Sequence, residues 1–278
     1  MNASRDRRKD SEDRTAQPRP LRFVLFNIAY GSGVGRDLHF PFPYAGHVKS
    51  TARNFDRILQ FLRSLGPDIV GLVEVDAGSF RSGKSNQAEL IARALDHRPI
   101  YESKYGSASV ARHVPVLNKQ GNALLVNRPV VRRRLHYFSL GMKRLVLEVE
   151  MADFTVFLVH LSLKFRIRHH QLQELYDFVK CARKPVVLAG DFNAFWGDRE
   201  LALFLAATGL QSANANGDPS YPSRAPRIQL DYIFHDPELA TRNFQIPPVR
   251  LSDHAPLVWD FTCNGCPTAP PPSGDMPS

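Results

Sequence analysis

Eight short apolar runs punctuate the chain, and each reads as a strand: 21–28 (LRFVLFNI), 68–75 (DIVGLVEV), 121–127 (GNALLVN), 145–150 (LVLEVE), 154–161 (FTVFLVHL), 185–192 (PVVLAGDF), 230–235 (LDYIFH) and 256–261 (PLVWDF). Between them lie segments with helical spacing. In 51–65 the apolar residues fall at Phe55, Ile58, Leu59, Leu62 and Leu65, and Gly66-Pro67 stops the pattern. Residues 86–95, 168–182 and 199–209 read as three further helices, the last closed by Gly209.

Strands and helices do not alternate strictly. The runs at 121–127, 145–150 and 154–161 follow one another like hairpin partners, joined by the basic segment RPVVRRRLHYFSLGMKR. That order predicts sheets packed face to face with helices outside, rather than a doubly wound parallel sheet. The charged arm 1–20 and the Pro-rich tail 262–278 have little to bury and are expected to be disordered. The body at 21–261 has the size of one large domain.

Polar groups recur at the rims of the apolar runs. Asn27 ends the first, Glu74 the second and His160 the fifth. Asp191 and Asn193 follow VVLAG, Asp231 opens LDYIFH, and Asp253 and His254 precede the last run. Any one of these alone is an ordinary turn former. Together, on strands lying side by side, they would converge on one cleft. Buried without partners they would cost several kcal/mol each, on the order of 2–7; they must satisfy one another, hold a metal, or face water. The set supplies hard oxygen ligands suited to Mg²⁺ or Mn²⁺, a group to orient water, and two imidazoles for a phosphate. Strand alternation would put Asp191 and Asn193 on one face and turn Phe192 to the other.

Charge narrows the partner. The chain carries a formal +9, with 36 Lys/Arg against 27 Asp/Glu. Six Lys/Arg against four Asp/Glu in the arm, and only Asp275 in the tail, leave the excess in the body. A basic body favours an anionic partner. No apolar run approaches the length of a membrane span, and the polar N-terminus lacks the apolar core of a secretory signal. Three cysteines make no disulfide framework, and a cytoplasmic location is the expectation. Cys263-x-x-Cys266 has no second pair and no nearby histidine, so it reads as two incidental thiols.

Asn27 in LFNIAYG, Glu74 in DIVGLVEVD, His160 in LVHL, GDFN at 190–193, LDYIF at 230–234 and SDH at 252–254 resemble, in order, the motifs of the endonuclease/exonuclease/phosphatase superfamily with the DNase I-like fold. The resemblance spans nearly the whole body. It implies a four-layered α/β sandwich: two mixed, mainly antiparallel sheets packed face to face, with helices on the outer faces. It implies a divalent-metal phosphoesterase, with Mg²⁺ or Mn²⁺ held by Glu74 and Asn27 and with Asp253 as an additional metal-side carboxylate. Asp191 resembles the group that orients or deprotonates the attacking water, and Asn193 its partner. His254 resembles the imidazole on the scissile phosphate, Asp231 the carboxylate that holds it, and His160 a second phosphate contact that protonates the leaving oxygen. Asn122 matches a phosphate contact. Lys143 and Arg144, before the strand at 145–150, would add positive charge at the rim.

The expected activity is therefore phosphodiester hydrolysis by metal-assisted attack of an activated water, in a monomer. The substrate would be an anionic phosphate ester: nucleic acid, phospholipid or a small phosphodiester. The alternative is a non-catalytic phosphate- or nucleic-acid-binding protein that keeps the fold. Two loops would select the substrate. One, at 31–49, interleaves Phe40, Phe42 and Tyr44 with prolines; the other, at 101–120, carries Lys104, Arg112, His113 and Lys119.

Overall fold

The structure is a computed structural model that describes residues 19–31, 33, 52–78, 86–103 and 120–263. In chain order the strands are β1 (Leu21–Asn27), β2 (Ile69–Asp76), β3 (Arg98–Ser103), β4 (Gln120–Val126), β5 (Val130–Tyr137), β6 (Leu145–Met151), β7 (Thr155–His160), β8 (Val186–Asp191), β9 (Gln211–Ser212), β10 (Asp231–His235), β11 (Leu239–Gln245) and β12 (Leu257–Cys263). The helices are α1 (Ala52–Leu65), α2 (Gln87–Leu95), α3 (Phe165–Lys180) and α4 (Asp198–Thr208). Sheet one runs β11-β12-β1-β2-β4-β3 and sheet two β5-β6-β7-β8-β10-β9. The expected sandwich of two mixed sheets is therefore present.

Three apolar layers hold it together. Phe23, Leu25, Val73 and Leu124 of sheet one meet Leu147, Val156, Leu158 and Val187 of sheet two in the central core. Alternation sends Val24, Phe26, Val70 and Leu72 to the other face of sheet one, where Ile58 and Leu62 of α1 and Ile91 of α2 cover them. Phe157, Val159 and Leu188 line the outer face of sheet two, under Leu172 and Leu175 of α3 and Leu201 and Phe204 of α4.

Some expectations change. The run at 121–127 does not form a hairpin with 145–150: β4 pairs with β2 and β3, whereas β6 pairs with β5 and β7. The partner of β6 is the basic segment itself. Its arginines lie on an exposed edge strand, and Arg132 and Arg134 pair with Glu150 and Glu148 across it. β12 runs to Cys263, two residues past the expected end of the body, and buries that thiol. The arm 1–18, the tail from 264 with Cys266, most of the 31–49 loop with Phe40, Phe42 and Tyr44, and residues 104–119 with their basic side chains lie outside the described residues. Among the described residues, no helix is long and apolar enough to cross a membrane.

Each sheet contains one parallel pair, β1 with β2 and β7 with β8; every other pairing is antiparallel. Asn27, Glu74, His160 and Asp191 stand at or near the C-terminal ends of those four strands. β7 and β8 also approach closely. A Cβ on Gly190 would sit 2.0 Å from the Val159 carbonyl oxygen, so only glycine fits where the pair brings His160 beside Asp191.

Candidate active site

Parity along the strands aims most of the site inward. Asn27 follows Phe23 and Leu25, His160 follows Val156 and Leu158, and Asp191 follows Val187 and Ala189, all on the central face. Asn122 shares the inward face of β4 with Leu124 and Val126 and is buried. Asp231 lies opposite Asp191 in the β8–β10 register.

Glu74 gets there differently. The β2–β4 register slips between Leu72 and Val75, and Glu74 has φ 57°. Val73 joins the central core while Val75, two positions on, joins the outer one. The bulge has reversed the strand's parity around a residue held in the left-handed region, an arrangement that costs about 1 kcal/mol or more. Its effect is to set Glu74 Oε1 3.9 Å from His160 Nε2, with the carboxylate 21% exposed.

Asp191 Oδ2 is the meeting point. Asn27 Nδ2 donates to it at 3.1 Å, His160 Nε2 lies at 3.3 Å and His254 Nε2 at 4.0 Å. Asn27 is fixed for this by accepting from the Ala29 amide at 3.1 Å. The other oxygen, Oδ1, accepts from the Asn193 amide at 3.0 Å. Burial favours the neutral acid, yet its contact with His160 and the positive charges of His254 and Lys143 hold Asp191 below the usual carboxylate range. Such an anion orients a water well and is a weak base.

The Asp191–Asn193 pair is not arranged by strand alternation. β8 ends at Asp191, and Asn193 is left-handed at φ 50°, a conformation asparagine tolerates. Its side-chain amide donates to the Leu161 carbonyl at 3.0 Å. Phe192 turns away as expected and packs edge-on against Tyr232 and Phe234.

On the far side, His254 Nδ1 is 2.8 Å from Asp231 Oδ2. Burial opposes charge on both members. At His254 the attraction of Asp231, aided by Asp191 and Asp253, prevails and raises it to about 10, whereas at Asp231 burial prevails and raises the carboxyl above its ordinary value. Asp231 Oδ2 also accepts from Ser220 Oγ at 2.6 Å, and the Tyr221 ring stands 4.9 Å from the His254 imidazole. Sequence reasoning passed over Ser220 and Tyr221: they sit in an irregular segment with no strand or motif to mark them. Asp253 is half-buried and accepts from Ser252 Oγ at 3.1 Å.

His160 is perturbed the other way. Burial and the charge of Lys143 push it below its ordinary value, against the pull of Asp191 and Glu74. The Lys143 ammonium contacts His160 Nε2 directly, whereas Arg144 points its Nε at the Phe138 carbonyl. The loop after His160 is tied down by Arg168. That fully buried guanidinium donates to the Ser162 and Leu163 carbonyls and pairs with Glu200 of α4.

The site offers two sets of donors that could hold a divalent cation. Ligand atoms of Asp191, Asp231 and His254 all lie within 4.8 Å of one another. Asp231 Oδ1 is buried without a hydrogen-bond partner, an acceptor left over for a proton, a water or a metal ion. Glu74, 3.9 Å from His160, and Asn27, bonded to Asp191, offer hard oxygens for the second, on the sheet-one side of Asp191.

A model of the Endonuclease/Exonuclease/phosphatase family matches residues 24–254. A UPF0294 protein of Yersinia pseudotuberculosis is 37% identical over 105 residues, 37% of this chain and 39% of that protein. The match thus spans about two fifths of that relative. Among solved structures, an endonuclease/exonuclease/phosphatase from Beutenbergia cavernae is similar with a TM-score of 0.67 at 21% identity, covering 90% of this chain and 73% of that one. The human Nocturnin catalytic domain, solved with a bound sulfate anion, gives 0.61 at 23% identity, covering 87% and 94%.

Proposed function

The chain belongs to the Endonuclease/Exonuclease/phosphatase family, and from that premise we propose that it is a Mg²⁺- or Mn²⁺-dependent phosphodiesterase that hydrolyses P–O bonds with an activated water. The observation that carries the reading is the convergence on Asp191 Oδ2 of groups from both sheets: Asn27 at 3.1 Å and His160 at 3.3 Å, with His254 at 4.0 Å.

Glu74 and Asn27, with Asp253 as an additional carboxylate, would hold the metal. When bound, it would supply a Lewis acid that offsets the charge of the phosphate. The remaining work falls to the chain itself. Asp191, kept anionic, orients a water. Asn193 fixes Asp191 through its backbone amide and leaves its own carboxamide oxygen for water or substrate. The His254 imidazolium, steadied by Asp231, binds the phosphate and strengthens that bond as charge develops in the transition state. His160, kept neutral, is a hydrogen-bonding contact, and the Lys143 ammonium on its Nε2 brings the positive charge to the leaving side. Asn122 contributes a further phosphate contact from β4, and Arg144 adds charge at the rim. The human Nocturnin structure holds a sulfate anion, consistent with an anion-binding cleft in this fold.

Hydrolysis of bis-p-nitrophenyl phosphate tests the reading. Turnover with Mg²⁺ or Mn²⁺ that EDTA abolishes is the expected result. No turnover with either metal would favour a phosphate-binding protein that has kept the fold without the chemistry.

A further inference from the structure

Ten large hydrophobic side chains are exposed among the described residues, and six of them crowd one end of the molecule: Leu140, Met142, Leu163, Phe165, Phe195 and Trp196. They come from three loops. One joins β5 to β6, one follows His160 at the end of β7, and one follows Asp191 at the end of β8. The registers Tyr137 with Leu145, Val146 with Val159 and His160 with Asp191 place all three loops at the catalytic end of sheet two. They also touch. Gln171 of α3 links the first two by donating to the Leu140 and Lys143 carbonyls and accepting from the Ser162 amide, and the Phe165 and Trp196 rings meet edge-on at 6.4 Å.

Scattered exposed apolar residues need no explanation, but a cluster rimming a polar cleft marks a surface that something covers. Trp196 is 74% exposed and Met142 65%. The charges within these segments are mainly positive, although Glu174 of α3 lies against Ser139. Segments 138–144, 161–166 and 194–199 contain Lys143, Arg144, Lys164, Arg166 and Arg199 against a single acid, Asp198. Basic residues bordering exposed tryptophan, phenylalanine and aliphatic side chains match the chemistry of an anionic membrane interface. Nucleic acid would use the aromatic rings and the cations. It has no use for Leu140, Met142 and Leu163, which cannot stack on bases but can enter the acyl boundary.

We propose that these three loops form a docking surface for a lipid bilayer bearing anionic headgroups. Docked this way, the cleft would open against the headgroup layer and phospholipid phosphodiesters would be its substrates; that second step rests on the phosphodiesterase reading above.

Trp196 makes the surface directly observable, because the other tryptophan, Trp259, is fully buried. The full chain, in EDTA so that nothing turns over, is titrated with phosphatidylcholine vesicles with and without phosphatidylserine. The expected result is a blue shift in tryptophan emission and co-sedimentation, both stronger with phosphatidylserine and weakened by salt. Trp196→Ala should abolish the shift and weaken co-sedimentation about tenfold. Met142→Asp, in a separate loop, should weaken it comparably. Absence of a shift and of co-sedimentation with both vesicles would overturn the proposal. So would a response of Trp196 to a single-stranded oligonucleotide but not to vesicles. A chain that docks yet hydrolyses no phosphodiester would keep this surface and lose the phosphodiesterase reading; one that hydrolyses but never docks would lose only the surface.

Discussion

The two sheets contribute to the site in different ways. Sheet two supplies a hydrogen-bonded chain built on regular register, His160 beside Asp191 on a parallel pair and Asp231 opposite Asp191 on an antiparallel one, and His254, from the β11–β12 loop of sheet one, closes it by locking to Asp231. Every member is buried. Sheet one supplies Asn27 by ordinary alternation, but Glu74 only through a left-handed bulge, and Glu74 is the more exposed carboxylate. The contrast suggests a division of labour. The buried chain, its carboxylates balanced by the His254 imidazolium, handles the water and the phosphate; the bulged, wetter side is the better place for a cation that must enter from solvent.

Breaking the sheet-two side at its hub should have the largest effect. Asp191→Ala removes the acceptor shared by Asn27, His160 and the Asn193 amide, and should lower turnover of bis-p-nitrophenyl phosphate by about 10³-fold or more. Full activity in that variant would remove Asp191 from the mechanism. On the sheet-one side, Glu74→Gln keeps the shape but loses the charge, and a drop of roughly a hundredfold at fixed Mn²⁺ is expected; excess metal should restore part of it. Activity that extra Mn²⁺ leaves unchanged would argue against Glu74 as a ligand.

A smaller effect should follow from Ser220→Ala, which removes one of two partners from Asp231 Oδ2. The expected loss is about 1 kcal/mol, roughly fivefold in rate if felt in the transition state. A change in rate with no movement of the pH profile of turnover would mean that Ser220 does not act through His254.

The two histidines of the site should leave a modest signature in stability. His254 has a raised pKa, about 10 against its ordinary 6.5, so its contribution is complete below 6.5 and fades as pH rises towards 10. His160 has a lowered pKa, so its contribution is present above the ordinary value and is lost as pH falls below it. Thermal melts should therefore show His254→Gln flattening the alkaline decline and His160→Gln flattening part of the acid one. Identical pH profiles in wild type and both variants would contradict these assignments.

Much of this was legible in the amino-acid sequence, for a physical reason. The eight apolar runs correspond to the eight strands inside the two sheets, which are covered on both faces and read as continuous hydrophobic segments. The four strands passed over, β3, β5, β9 and β11, are the four sheet edges. Edge strands face water and carry charge; β5 contains three consecutive arginines. In the site, Asn27, His160, Asp191 and Asp231 could be read because alternation aims them. Glu74 stands at the rim of its apolar run, but only the backbone reveals how it turns inward. The place of Asn193 depends on a left-handed residue after the strand has ended, and Ser220 and Tyr221 belong to a loop that no periodicity marks.

The division between the sheets can be tested directly by titrating Mn²⁺ calorimetrically into the wild-type chain, Glu74→Gln and Asp231→Asn. If sheet one holds the cation, Glu74→Gln should lose roughly tenfold to a hundredfold in affinity, while Asp231→Asn stays close to wild type. The reverse result, affinity lost in Asp231→Asn and kept in Glu74→Gln, would place the metal among Asp191, Asp231 and His254 and contradict the account.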